Sequence, residues 1–181
     1  VIQALLRTAH RKETCSYHVE LFGKLNSLDA ILTFNYDLVP ERALRALHSK
    51  TKFGEWLYGF GSRARDSREV PDLYKLHGSV NWDLDFKKGY VWAIQNSWKD
   101  FDSQPGYRAH GPAFPILLPH WDKKVEKKPW RTIWQLAAEH LRQTSSLVIW
   151  GYSLPLTDLK AQALVKICLT PEDSILKNVC V

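Results

Sequence analysis

Ala30-Ile31-Leu32-Thr33-Phe34-Asn35-Tyr36-Asp37 is an apolar run that passes without a spacer into a cluster of polar groups. Its first five residues have the length and composition of a strand buried on both faces, and its last three carry hydrogen-bonding side chains. The same transition occurs twice more: LYKL (residues 73–76) runs into His77, Gly78 and Ser79, and LVIW (147–150) runs into Gly151, Tyr152 and Ser153. Two further apolar runs, PILLP (115–119) and ILKNVCV (175–181), complete a set of five expected strands. Between the strands lie segments of helical period. The clearest is 129–143, with Trp130, Ile133, Trp134, Ala137 and Leu141 on one face and Pro129 suited to the first turn; 38–48 and 158–169 read the same way. Near-continuous apolar strands alternating with amphipathic helices predict an α/β fold, a Rossmann-like parallel sheet covered by helices on both faces. In open parallel sheets the ligand crevice lies beyond the carboxyl ends of the strands, so three polar clusters at three such ends converge wherever those strands are neighbours.

A chain of 181 residues suits one domain. Two stretches, about 50–72 and 83–128, interrupt the alternation and exceed normal crossover loops. Their aromatic residues predict packed inserts, the second a small subdomain. No apolar stretch approaches the roughly 20 residues that span a bilayer, and the first residues acquire charge too early for a signal peptide. Cys15, Cys168 and Cys180 are odd in number and far apart, which indicates neither a disulfide framework nor a zinc ribbon. A reducing cytoplasm is expected, with no membrane partner. The formal charge of +6 is concentrated in residues 62–68 and 121–131. Counterion release would give such clusters affinity for nucleic acid, but no nucleic-acid motif accompanies either, and solvated loops are the expectation. The chain has no methionine, begins within an apolar run at Val1 and ends within another, so it reads as a piece of a longer protein, incomplete at both ends. Unpaired strand edges would then make the isolated chain marginal and prone to associate, with further domains or a second copy as the expected partners.

Together the three transitions resemble the sirtuin-like fold, and more closely its bacterial branch of NAD-consuming anti-phage defence proteins. TFNYD (33–37) is similar to the family's Thr-Gln-Asn-x-Asp, KLHGS (75–79) to its His-Gly-Ser turn, and GYSLPLTD (151–158) to its closing loop; the resemblance covers roughly residues 26–181. It implies cleavage of the bond between nicotinamide and ribose, with NAD as substrate. The nicotinamide of NAD is already a cationic leaving group, so the chemistry needs positioning and one base rather than a general acid, and charge develops on the sugar. By resemblance His77 is the base and Asn35 the positioner of a ribose hydroxyl or attacking water, roles that their chemistry permits. Thr33, Asp37, Gly78, Ser79, Gly151 and Ser153 would line the cofactor's seat, with Asp37 toward the nicotinamide carboxamide and Ser153 toward the ribose or phosphate side. Trp82 would wall the pocket.

Duller roles stay open beside these. Asn35 and Asp37 are common caps for a helix starting near Leu38, His77 has the alternative of a satisfied structural histidine, and Ser153 and Asp158 are ordinary residues before a helix. Phe34 stands where sirtuins carry glutamine, so it would alter the nicotinamide pocket. The family's glycine-rich pyrophosphate loop would precede Val1. Its four-cysteine zinc module is replaced by a cysteine-free stretch, and no zinc is expected. The rival functions are a protein deacylase using the same cofactor and a nucleotide-binding module without turnover.

Overall fold

A computed structural model describes residues 14–51, 53–60, 69–85, 90–93, 116–117, 125–126, 129–169 and 175–181. Two parallel strands form its centre: β1 (Ala30–Thr33) runs beside β2 (Asp72–Lys75), with Ala30 opposite Asp72 and Thr33 opposite Lys75. Successive side chains on a strand point to opposite faces. On β2 both of these faces are buried. The Tyr74 hydroxyl lies 3.1 Å from Nδ1 of His140 on α3 (Trp130–Arg142), while Lys75 Nζ, on the other face, pairs at 3.0 Å with Glu41 on α2 (Val39–Leu47). Helices therefore cover both faces of the pair, and the fold is α/β as the alternation predicts.

Helix α3 buries Trp130, Ile133, Trp134, Ala137 and Leu141, the face that the spacing selects. It packs on β1, β2 and the last helix, α4 (Leu159–Leu169). Each large apolar side chain withdrawn from water in this way contributes about 1.5–3 kcal/mol before entropy is counted. The indole N–H of Trp134 enters with the stripe and finds a partner, donating from Nε1 to the Leu76 carbonyl at 2.9 Å. Helix α2 starts where Asp37 Oδ1 accepts the Val39 N–H at 2.9 Å and Pro40 supplies a preset φ. A short helix α1 (Ser16–Phe22) lies against it. Strand β5 (Ser146–Val148) continues through α4 to a parallel partner, β6 (Asn178–Cys180), so each parallel pair is bridged by a helix.

The strands differ from expectation in their grouping. Among the described residues they form two separate parallel pairs rather than one sheet, plus an antiparallel hairpin of β3 (Trp82–Asp85) and β4 (Tyr90–Ala93). That hairpin opens the second insert; most of the remainder of 83–128 falls outside the described residues. Of PILLP, only Ile116 and Leu117 are described, and Ile116 makes an isolated antiparallel bridge to Gly78 rather than a ladder. The remaining three residues of that run lie outside the described residues. Within 50–72, Trp56, Leu57 and Tyr58 of a 3-10 turn (Glu55–Tyr58) are buried in the core, while residues 52 and 61–68 lie outside the described residues. Trp82 does not wall a pocket. It is 2% exposed, with its ring against Tyr58, Phe60 and Trp130, and belongs to that core. No helix among the described residues is long and apolar enough to cross a membrane.

Candidate functional site

His77 lies just past the end of β2, where the chain turns with Gly78 N–H donating to Lys75 O at 3.0 Å. Gly78 takes φ 92°, a conformation open to glycine and rare for any residue with a Cβ, so the glycine is what lets the strand stop and the histidine face inward. His77 is 3% exposed. Around it the ends of three strands meet. The loop after β1 contributes Phe34, whose ring stands edge-on at 5.0 Å between centroids, and Tyr36 at 6.2 Å. The loop after β5 contributes Tyr152, stacked on Phe34 at 4.2 Å and 16°. The start of α4 contributes Asp158, with Oδ2 3.2 Å from His77 Nε2.

The loop after β1 is held firmly from beneath. Thr33 Oγ1 accepts the Asn35 N–H at 3.1 Å, and the Tyr36 carbonyl accepts the Val80 N–H at 3.0 Å and, at 3.5 Å, the Ser79 hydroxyl. Lys75 Nζ donates to the Asp37 carbonyl while pairing with Glu41. Both side chains of this ion pair are fully buried, and burial pushes the Glu41 carboxyl up against the pull of the Lys75 ammonium. Thr33, Asp37 and Ser79, all assigned to the cofactor's seat from sequence, thus each have a side-chain oxygen engaged in shaping the loop, and Ser79 is entirely buried. Asn35 is different: it is exposed, and in the chain it stands between Phe34 and Tyr36, whose rings flank His77.

On the other side, Gly151 at φ 66° and Ser153 are exposed. Among the described residues a Cβ at Gly151 would meet no atom within 4 Å, so the glycine answers to backbone conformation rather than to crowding by them. Leu154 also has a positive φ, 47°, directly before Pro155, a strained geometry for a branched residue, on the loop that carries Tyr152. Asp158 Oδ1 caps α4 by accepting the Ala161 N–H at 3.0 Å, and Tyr152 Oη lies 3.4 Å from Oδ2. Burial, with the Asp158 charge adding to it, pushes the Tyr36 phenol up and the Tyr152 phenol well above the ordinary range, so both stay protonated as donors.

Two contacts at or near the site are not legible in the sequence. Asp158 is the cap it was read as, but its second oxygen serves His77; a capping aspartate carries no local mark of such a contact. His18 of α1 sits with its ring 4.6 Å from that of Trp150 at the end of the third apolar run, and near enough to Asp37 to feel its charge. It stands in no motif, so nothing in the sequence singles it out. A cavity of about 760 Å³ between α3 and α4, lined among others by Arg131, Gln135, Arg142 and Lys160, lies apart from His77 and shares Trp134 with its surroundings. Among the described residues no group of three or more His, Cys, Asp or Glu side chains is placed to hold a metal ion.

No curated protein matches the chain in sequence. A family model, the SIR2-like domain, matches residues 29–163, from just before β1 into α4, a span that includes all three strand ends meeting at His77. The chain belongs to the SIR2-like domain family, whose members are in general NAD-dependent enzymes.

Proposed function

We propose that the chain cleaves NAD at the bond between nicotinamide and ribose, with water as the acceptor and NAD as a consumed substrate. The observation that carries this reading is the meeting of three strand ends at one buried histidine, with an exposed amide, Asn35, and an exposed hydroxyl, Ser153, on the loops beside it. These donors suit NAD. A neutral amide can hold a ribose hydroxyl or a water, and the open backbone at Gly151 leaves room for a ligand's polar edge. Asp37 has one carboxylate oxygen committed to Val39 and keeps the other for the carboxamide of nicotinamide.

In this scheme the oxygen of water bonds to the anomeric carbon of the ribose. The bond from that carbon to the nicotinamide nitrogen breaks, its electron pair leaves with nicotinamide, and the proton of the attacking water passes to His77. The leaving group departs neutral without an acid, so a base and a positioning amide cover what the chain must supply. Resemblance to defence proteins supports a further reading, that the domain is the effector of a bacterial anti-phage system working in the cytoplasm with other domains or copies. Incubating the chain with NAD alone tests the reaction: release of nicotinamide and ADP-ribose is expected. Release that requires an added acyl-lysine peptide contradicts water as acceptor, and binding without release contradicts cleavage.

A further inference from the structure

Asp158 is 1% exposed, and each of its carboxylate oxygens has a different task. Oδ1 accepts the Ala161 N–H, and the backbone carbonyl accepts the Gln162 N–H at 3.0 Å, which together start α4. Capping alone requires neither burial nor a second partner, since a capping side chain serves equally well at the surface. Burying an ionised carboxylate is costly unless donors reach it. Here Oδ2 lies 3.2 Å from Nε2 of His77, far from it in sequence, and 3.4 Å from the hydroxyl of Tyr152, six residues before it.

We infer that Asp158 is a positioning residue for His77, fixing the ring's orientation and tautomer from the first turn of α4. With Nε2–H donating to Oδ2, the neutral ring carries its basic lone pair on Nδ1. When the ring takes up a proton, the adjacent negative charge stabilises the imidazolium. The titratable groups described around the ring are Asp158, Tyr152 from the loop after β5 and Tyr36 from the loop after β1. The two phenols stay protonated, so of these three Asp158 supplies the charge. The inference rests on the proposed NAD cleavage for its catalytic consequence, but not for the state of the ring.

The experiment is Asp158→Asn in the full chain, read in two ways. Asparagine caps helices about as well as aspartate, so α4 keeps its start while the negative charge is lost. Nitrogen-15 spectra of labelled histidine should show His77 protonated on Nε2 in the unmodified chain, and its pKa should fall by about one unit or more in the variant. In NAD cleavage, kcat should fall at least about tenfold at neutral pH with little change in KM, and the acid limb of kcat/KM should move to lower pH. A ring protonated on Nδ1 in the unmodified chain overturns the inference whether or not the variant folds. So does a variant that leaves the His77 pKa and tautomer unchanged. If the spectra behave as expected but the chain releases no nicotinamide, the positioning stands and the proposed cleavage is what fails.

Discussion

Phe34 occupies the position where the sirtuin pattern carries glutamine, and its ring is stacked on Tyr152, edge-on to His77, and 6.4 Å from the ring of Trp134. From sequence the position faced the nicotinamide pocket; in the structure its ring joins the end of β1 to the loop after β5 and walls one side of the histidine. Phe34→Gln removes two close aromatic contacts of a partly buried ring and should cost about 1–3 kcal/mol, read as a lower urea midpoint. Turnover should fall with it, because the ring also borders His77. An unchanged midpoint means that the stack contributes nothing to stability. Lys75 and Glu41 show a second limit of the sequence. Lysine within KLHGS looks like a polar residue near a turn, yet it is buried against a carboxylate and tied to the carbonyl of Asp37. Removing either partner of such a pair leaves the other charge stranded in the core.

Among the elements, α3 was legible to the residue, because a period of 3.6 with two tryptophans on one stripe leaves a single face to bury. Of PILLP the described residues show only the bridge from Ile116 to Gly78, a pairing with the His77 turn that apolar composition does not announce. Helix α1 was not legible, its His18 ring held between Phe22 and Trp150. Burial lowers the pKa of His18 from 6.5, with the Asp37 charge pulling in the opposite direction. A folded value below the unfolded one means that the unfolded chain binds the proton more readily. His18 therefore contributes stability that is present above about pH 6.5 and is lost as the pH falls through the lowered folded value. His18→Gln should flatten the fall of the thermal midpoint below pH 6.5 relative to the unmodified chain. Parallel curves through that window show that His18 does not titrate on unfolding.

At the scale of the molecule, the α/β class and the meeting of strand ends follow from one repeated local event, an apolar run stopping at polar residues. The pairing of strands does not, because strand order depends on contacts between segments that the sequence keeps far apart. The β5–β6 pair carries the exposed Val148 and Val179, whereas β2 is buried on both faces, a difference that similar apolar composition conceals. His77 and Asn35 stand out in the sequence through their motifs; the contact of Asp158 with His77 does not, because a residue closing GYSLPLTD reads as a helix cap, and His18 stands in no motif at all. The central claim is that His77 and Asn35 act on NAD at the junction of those strands, and nicotinamide release over time by His77→Ala and Asn35→Ala tests it most directly. Each variant should release nicotinamide at least about a hundredfold more slowly, with circular dichroism unchanged, a range typical for loss of a base or of its positioning partner. A His77→Ala variant that keeps the turnover of the unmodified chain would contradict the account and leave the histidine a structural residue.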